Sequence, residues 1–233
     1  MMMILLAALA LGELPCDVVP STSGDLQITF IGHGTLYFTW QNKVVHVDPW
    51  SRLADYTALP KADVVLITHH HRDHLDPAAV AQIRKPETTV ILTEKCAAEV
   101  QGKVMKNSDS LTVAGLNVRA VPAYNLVHKR DSGEPFHVKG EGNGYLITFG
   151  KLTVYIAGDT ENIPEMAALH GRVDIAFLPV NLPYTMDAEM AAAAARAIRP
   201  KILYPYHYNP EQVAKLQQLL AGEPIEVRVR AME

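Results

Sequence analysis

Four histidines and two aspartates fall within eight consecutive positions of the chain, from His69 to Asp76. The apolar residues 64–67 stand just before them and, being mostly β-branched, predict a buried strand. Imidazole nitrogens and carboxylate oxygens are ligands that divalent transition metals bind in proteins. Their concentration on one short turn therefore predicts a metal site at the end of this strand.

The spacing of these residues favours two metal ions rather than one. The pattern H-x-H-x-D-H is formed by His69, His71, Asp73 and His74. In an extended turn, residues two apart point the same way, so His69 and His71 can bind one ion. Asp73 and His74, beyond the turn, can bind a second, and ions about 3.5–4 Å apart are typical of binuclear hydrolases. The alternative is a surface cluster that binds metal adventitiously, but the preceding strand argues against it.

The pattern resembles the signature of the metallo-β-lactamase-fold hydrolases. The resemblance implies an α/β fold, a four-layer αβ/βα sandwich whose metals lie along one edge of two facing sheets. It also implies that Asp159, in a Gly-Asp-Thr turn, bridges both ions and that His207, at the last strand entering the site, is a further ligand. Asp48 would fix the metal loop through hydrogen bonds. A cap of the turn into Pro49 is the alternative for Asp48.

The residue after the strand at 116–121 departs from the family pattern. Many relatives have a histidine there that completes the first metal site, whereas this chain has Asn125. His137, in a glycine-rich loop, is the favoured replacement, His128 is the other candidate, and a site without a third histidine is the remaining alternative. Asn125 is then expected to support a ligand rather than to bind metal. His33, between two glycines, is expected to be a turn residue, and a role as a metal ligand is the alternative.

The expected chemistry is hydrolysis by a metal-bound hydroxide. Two divalent ions lower the pKa of a bound water to about 7, and the hydroxide would cleave a small ester, lactone or phosphodiester. Asp73 and Asp159 are the predicted catalytic residues, because either carboxylate can relay a proton to the leaving group. Zinc is the first expectation for both ions, although manganese, iron or nickel bind the same ligands. The candidates for binding the substrate oxyanion are Tyr124, Tyr184, Tyr206 and Lys139.

Within the family, the chain most resembles the branch with L-ascorbate-6-phosphate lactonase and N-acyl-phosphatidylethanolamine phospholipase D. The shared stretches are Gly-His-Gly-Thr at 32–35, Asp-Pro-Trp at 48–50, Pro-Ala at 122–123 and Gly-Asp-Thr at 158–160. A redox di-iron centre is disfavoured because that branch carries glutamate at the position of His71. A fold does not fix a reaction. A non-catalytic metal-binding domain and a single-ion domain with an incomplete first site therefore stay open as alternatives.

Length and composition are those of one globular domain. The chain has 233 residues, of which 48% are hydrophobic and 20% charged, and residues 25–233 are expected to form a single hydrolase domain. A net charge of −4 without basic runs argues against nucleic-acid binding, so a small molecule is the expected partner. Cys16 and Cys96 do not indicate a disulfide framework, and the oligomeric state stays open.

Residues 1–24 are expected to form an apolar segment followed by a loop over residues 15–24, where Pro, Ser, Thr and Gly are concentrated. Residues 1–11 are almost wholly apolar, yet they are too few to form a transmembrane segment. They fit the core of a weak signal peptide, except that no lysine or arginine precedes them. The cytoplasm is slightly favoured as the location, with export to the periplasm as the alternative. An apolar segment packed on the domain would explain the same residues.

Overall fold

The computed structural model describes residues 14–233 of the chain. The predicted signal-peptide core at 1–11 lies outside these residues. Within the described part, each helix is too short or too polar to cross a membrane.

The first half of the described chain forms a seven-stranded sheet in which neighbours in sequence are neighbours in space. Its strands are β1 (Cys16–Val19), β2 (Leu26–Gly32), β3 (Thr35–Trp40), β4 (Lys43–Val47), β5 (Val64–Leu66), β6 (Thr89–Leu92) and β7 (Lys103–Val104). Strands β1 to β4 pair antiparallel, and β4 to β7 pair parallel. The loop predicted over residues 15–24 is wrong at β1, because this segment pairs with β2 and its Asp17 carboxylate binds the Arg230 guanidinium.

The second half of the chain repeats this arrangement in another seven-stranded sheet. Its strands are β8 (Ser110–Val113), β9 (Leu116–Ala123), β10 (Gly142–Phe149), β11 (Leu152–Ile156), β12 (Ile175–Val180), β13 (Ile202–Tyr208) and β14 (Glu226–Val227). Strands β8 to β11 pair antiparallel, and β11 to β14 pair parallel. Tight turns at residues 114–115 and 150–151 join β8 to β9 and β10 to β11 as hairpins.

Three α-helices complete the described fold, and aspartate side chains cap two of them. They are α1 (Pro77–Ile83), α2 (Ala188–Ile198) and α3 (Pro210–Leu219). The side chains of Asp76 and Asp187 cap α1 and α2 by accepting hydrogen bonds from first-turn amides. Two further segments, Cys96–Ala98 and Pro164–Leu169, are short 3₁₀ helices.

Apolar side chains from both sheets meet in a central core. The ring of Phe38 in the first sheet lies 5.2 Å from that of Phe149 in the second. Val64 and Leu66 of β5 face this core, whereas Val65 between them packs in a second cluster with α1. Helices α2 and α3 contact β12 and β13 of the second sheet. The order helix, sheet, sheet, helix confirms the predicted four-layer αβ/βα sandwich.

The carboxyl ends of β4, β5, β9, β11 and β13 meet at one edge of the sandwich. Asp48 follows β4, the histidine-rich loop follows β5, and Asp159 follows β11. These segments contact one another directly, since His74 reaches Asp48 and His207 of β13 reaches Asp159. Five strand ends therefore supply one site from residues that are far apart in sequence.

Candidate metal centre

A buried carboxylate at the end of β4 fixes the histidine-rich loop. The Asp48 side chain accepts hydrogen bonds from the Thr68 amide at 2.7 Å and the Thr68 hydroxyl at 2.6 Å. It also lies 2.8 Å from Nδ1 of His74. With Nδ1 engaged, His74 directs Nε2 toward Asp159, 3.5 Å away. Asp48 thus lies where it can orient a metal-binding imidazole.

Three histidines form the first candidate ligand group. One ring nitrogen from each of His69, His71 and His137 lies within 4.8 Å of the others. Burial lowers the pKa of His71 to about 4 and the pKa of His69 well below its ordinary value. Both rings are therefore neutral at pH 7, the state that binds metal. His128 lies outside this group, with Nδ1 2.9 Å from the Thr185 carbonyl.

The Asn125 side chain contacts both the backbone and the ring of His137. Its Oδ1 accepts hydrogen bonds from the backbone amide of His137 at 2.9 Å and from the ring Nδ1 at 2.7 Å. Its Nδ2 donates to Oε1 of Glu161 and to the Tyr184 carbonyl, which fixes the orientation of the amide group. Nδ1 of His137 therefore donates to Oδ1 of Asn125, and Nε2 lies 3.2 Å from Oδ2 of Asp159.

Glu161 is a supporting residue that sequence reasoning missed. Its side chain is 1% exposed and accepts hydrogen bonds from three consecutive amides, those of residues 126–128, as well as from Asn125. Burial raises the pKa of Glu161, but these hydrogen bonds lower it by a larger amount. The pKa therefore lies below its ordinary value. The charged carboxylate ties the loop after β9 to the pair Asn125–His137. Its place two residues after Asp159 is the one sequence signal that could have marked it.

A second candidate ligand group includes a histidine that was expected to be a turn residue. Its members, with ligand atoms within 4.8 Å of one another, are His33, Asp73, His74 and His207. The backbone of His33 does turn, with a φ of 53°, and its carbonyl accepts a hydrogen bond from the His207 amide at 3.0 Å. Its ring also enters the site, where Nε2 lies 3.0 Å from Oδ2 of Asp73. The turn therefore delivers a side chain to the centre.

Asp159 lies between the two groups. Its Oδ2 is 3.2 Å from Nε2 of His137, whereas its Oδ1 is 3.5 Å from both Nε2 of His74 and Nδ1 of His207. Burial raises the pKa of Asp159, but the neighbouring histidines hold it well below the ordinary value. The group is therefore a carboxylate at neutral pH. Each oxygen of Asp159 thus faces a different ligand group, which is the arrangement expected if two ions were to share this carboxylate.

Several buried polar atoms of this centre have no hydrogen-bond partner within residues 14–233. They are Nε2 of His74, Nε2 of His137, Nδ1 of His207 and Oδ1 of Asp159. Buried polar atoms are normally paired, so unpaired nitrogen and carboxylate atoms that face one another fit divalent ions. Burial lowers the pKa of His74, but Asp159 and Asp48 raise it to about 10. An ion that binds Nε2 of His74 therefore competes with a proton.

Similar proteins place the chain in a known family. Residues 27–207 match the beta-lactamase superfamily domain. A UPF0173 metal-dependent hydrolase from Koribacter versatilis is 33% identical over 219 residues, which cover 87% of this chain and 90% of the relative. The chain belongs to the UPF0173 family of the beta-lactamase superfamily. The superfamily predicted from the motif is thereby confirmed, whereas the resemblance to the lactonase and phospholipase branch stays a prediction.

Two solved structures share the fold of this UPF0173 chain. A Parabacteroides distasonis protein with a provisional metal-dependent hydrolase name is 48% identical, with a TM-score of 0.89 over 94% of this chain and 100% of the relative. Igni18, a metallo hydrolase from the archaeon Ignicoccus hospitalis, is 26% identical, with a TM-score of 0.73 over 89% of this chain and 95% of the relative. The sandwich described above is thus shared along nearly the whole length of these proteins.

The ligand groups of this UPF0173 protein open into a cleft of about 440 Å³. Tyr184, one of the four predicted substrate contacts, lines the cleft and is 46% exposed. Tyr124 and Lys139 are absent from the cleft lining that the described residues form. The Tyr124 hydroxyl instead donates to Glu165 at 2.9 Å and accepts from Lys139 at 3.1 Å. A substrate contact at either residue would have to displace this network.

Tyr206, the remaining predicted substrate contact, lies in the core beneath the site. It is fully buried, and its hydroxyl accepts a hydrogen bond from the Gly158 amide at 2.9 Å. Gly158 has a φ of 67°, a left-handed conformation that favours glycine. A Cβ at Gly158 would also lie 2.8 Å from the Asn143 carbonyl. Tyr206 therefore holds the turn that presents Asp159, and a substrate contact would require it to leave the core.

Proposed function

We propose that this protein is a binuclear metal-dependent hydrolase of a small ester, lactone or phosphodiester. The observation that carries the proposal is Asp159, whose two oxygens face two different groups of potential metal ligands. The unpaired atoms around it and the hydrolase names of the relatives support the same function. Zinc suits histidine and aspartate ligands, although manganese, iron and nickel bind the same donors.

The proposed ligands divide into two sets that share one carboxylate. The histidines of the first group would hold one ion: His69, His71 and His137. The residues on the other side of the shared carboxylate would hold the second ion: Asp73, His74 and His207. Asp159 would serve both. His33 bonds Oδ2 of Asp73 and is proposed to position that carboxylate.

The single-ion and non-catalytic alternatives depended on Asn125 having replaced a ligand. His137 lies beside His69 and His71, which supports a complete first set without a ligand at position 125. The hydrogen bonds from Asn125 also orient His137. We therefore propose that the first ion still binds, although Asn125 stands where many relatives have a histidine.

The residues of the chain supply binding and proton transfer around the ions. Divalent ions at these groups would supply a hydroxide nucleophile at neutral pH, because they lower the pKa of a bound water to about 7. The Asp73 side chain is 34% exposed against 4% for Asp159, so Asp73 is the carboxylate that can exchange a proton with the cleft. Burial raises the pKa of Asp73, but hydrogen bonds from His207 and His33 lower it below its ordinary value. Asp73 therefore starts as a base.

Elemental analysis of the purified protein and of His137→Ala tests the two-ion proposal. We expect two ions per chain in the parent and a fall toward one in the variant, because one of three histidines of the first set is lost. His170→Ala, at an exposed histidine that contacts the Ala197 carbonyl, is the matched control and should keep two ions. One ion or none in the parent would contradict the binuclear proposal.

Hydrolysis is tested separately on the protein that has been reconstituted with zinc. The substrates are a 4-nitrophenyl ester, a simple γ-lactone and bis(4-nitrophenyl) phosphate, which represent the three proposed bond types. We expect turnover of at least one of them that Asp159→Asn abolishes. Two bound ions without turnover of any of the three would contradict the hydrolase part of the proposal and leave a metal-binding domain.

A further inference from the structure

Two arginines form part of the cleft wall beside the ligand groups. Apart from the residues of the metal centre, the charged side chains in the described lining are Arg72 and Arg130. Arg72 is exposed, and its guanidinium makes no ion pair or hydrogen bond with another described residue. The acidic side chains of the lining are Asp73 and Asp159, which are both proposed metal ligands. The described wall therefore holds no further carboxylate that could neutralise the arginines.

Arg130 is held in position by an aromatic pair. Its guanidinium lies over the Phe136 ring, 5.1 Å from the centroid, and donates to the Phe136 carbonyl at 3.3 Å. The Phe136 ring in turn meets Tyr184 edge to face, with centroids 5.1 Å apart. A turn closes behind the arginine, because its amide donates to the Glu134 carbonyl at 2.8 Å. The cation is thus oriented before any ligand arrives, which lowers the entropic cost of binding.

The chemistry of this wall matches an oxyanion. A guanidinium presents several N–H donors in a plane and forms strong, charge-assisted hydrogen bonds with carboxylate and phosphate groups. The chain as a whole carries a net charge of −4, so its general field disfavours anions and a local positive group is needed to bind one. The rings of Phe136 and Tyr184 offer apolar surface beside the cations.

We propose that Arg72 and Arg130 bind an oxyanionic group, a carboxylate or a phosphate, that the substrate carries beside its scissile bond. This inference rests on the proposed hydrolase function and narrows its substrate class to acidic esters, lactones or diesters. The anionic group lies against the arginines while the bond to be cleaved lies over the metal centre. Recognition and cleavage thus use different residues of one cleft.

A matched pair of esters tests this inference on the zinc-reconstituted protein. 4-Nitrophenyl hexanoate and 4-nitrophenyl hydrogen adipate share a leaving group and an acyl length and differ by one terminal carboxylate. An ester of the same acyl length with a terminal phosphonate forms the second arm. The readout is the ratio of kcat/KM for each anionic ester to kcat/KM for the hexanoate. The variants are wild type, Arg72→Gln/Arg130→Gln and, as the control, Arg119→Gln, an exposed arginine of β9 outside the cleft.

The arginine double variant should lower this ratio about tenfold, as loss of a charge-assisted hydrogen bond would do. Added salt should lower the wild-type ratio because it screens the charges, and Arg119→Gln should keep the wild-type ratio. A larger ratio for the adipate than for the phosphonate identifies the group as a carboxylate, and the reverse identifies a phosphate. Equal ratios in wild type and double variant for both anionic esters would overturn the inference.

A binding experiment separates failure of this inference from failure of the hydrolase proposal. Calorimetric titration of the zinc-reconstituted protein with 6-amino-6-oxohexanoate and with hexanamide, which differ by one terminal carboxylate, needs no turnover. We expect the carboxylate to bind about tenfold more tightly than the neutral amide, and we expect the double variant to lose this difference. An equal affinity for the two compounds in wild type would overturn the anion site, whether or not any ester is hydrolysed.

Discussion

Oδ1 of Asn125 accepts two hydrogen bonds from His137, one from its backbone amide at 2.9 Å and one from its ring Nδ1 at 2.7 Å. The second bond fixes both the tautomer and the orientation of the imidazole, so that Nε2 faces Asp159. Glu161 holds the other end of the amide through Nδ2 of Asn125. A residue that looks like a lost ligand in the sequence is thus well placed to make a distant histidine an effective one.

Asn125→Ala should lower the affinity for one ion and leave the affinity for the other unchanged. Without Oδ1 the His137 ring can rotate and its amide loses a partner, and loss of such supporting bonds typically costs 10–100-fold in metal affinity. Competition with a chromogenic chelator measures both ions, and we expect a weaker first ion and an unchanged second. Asn117→Ala, at an exposed asparagine of β9, is the control. Unchanged affinity for both ions in Asn125→Ala would refute the orienting role.

Asp159→Asn should lower the affinity for both ions. The amide keeps the size of the side chain but removes the negative charge that faces His137 on one side and His74 on the other. The same chelator titration should therefore show reduced affinity in both steps, in contrast to the single step expected for Asn125→Ala. Asp131→Asn, at an exposed aspartate, controls for the loss of one charge. An effect confined to one step would mean that Asp159 serves a single ion.

The ligand-rich loop is predicted from a local pattern, and the fold was expected through the family resemblance that this pattern carries. The run at 64–67 followed by His69, His71, Asp73 and His74 puts strand and ligands within one short segment. Asp159 and His207 were expected through the family resemblance, and both lie at the centre. The strand at Cys16–Val19 was missed because the prolines, serines and glycine around it indicate a loop, and because its ion pair with Arg230 joins residues that are remote in sequence.

The supporting residues could not be predicted because their roles arise from contacts between distant loops. His33 meets Asp73 across 40 positions, and Glu161 meets the amides of residues 126–128 across 33 to 35. No local spacing rule relates such residues. Tyr206 was expected at the substrate because it stands next to His207 in sequence. Alternate residues of a strand face opposite sides, however, and the Tyr206 side chain is buried in the core.

Asp48→Ala should destabilise the metal-free protein by about 3–5 kcal/mol, the usual cost of removing one member of a buried charged pair. The substitution removes the acceptor for both Thr68 groups and leaves His74 buried without its partner. Urea unfolding at neutral pH in the presence of a chelator measures the change in free energy. Asp55→Ala, at an exposed aspartate whose side chain bonds only Thr57 among the described residues, should cost far less. Equal losses in the two variants would show that the Asp48 network does not stabilise the loop.

His46 should make the fold sensitive to acid independently of the metal centre. This fully buried ring stacks on Tyr37 at 4.9 Å between centroids, and its Nε2 lies 3.0 Å from the Pro60 carbonyl. Burial lowers the pKa of His46 from its ordinary value of 6.5 to about 4. The unfolded chain therefore binds this proton more readily than the folded one does. The stability from the neutral ring is fully present above pH 6.5 and is lost as the pH falls toward 4.

His46→Gln keeps an N–H donor for the Pro60 carbonyl and cannot titrate, so it should lose less stability on acidification than the parent. The shift of His46 corresponds to about 3 kcal/mol at most between pH 6.5 and 4. The free energy of unfolding is measured in urea with a chelator at about pH 7 and pH 4, and the difference between the two values is compared. This difference excludes any effect of the substitution on stability that does not depend on pH. His170→Gln, at an exposed position, should keep the acid sensitivity of the parent. If His46→Gln also keeps it, the acid sensitivity comes from other titratable groups, and His46 makes no measurable contribution.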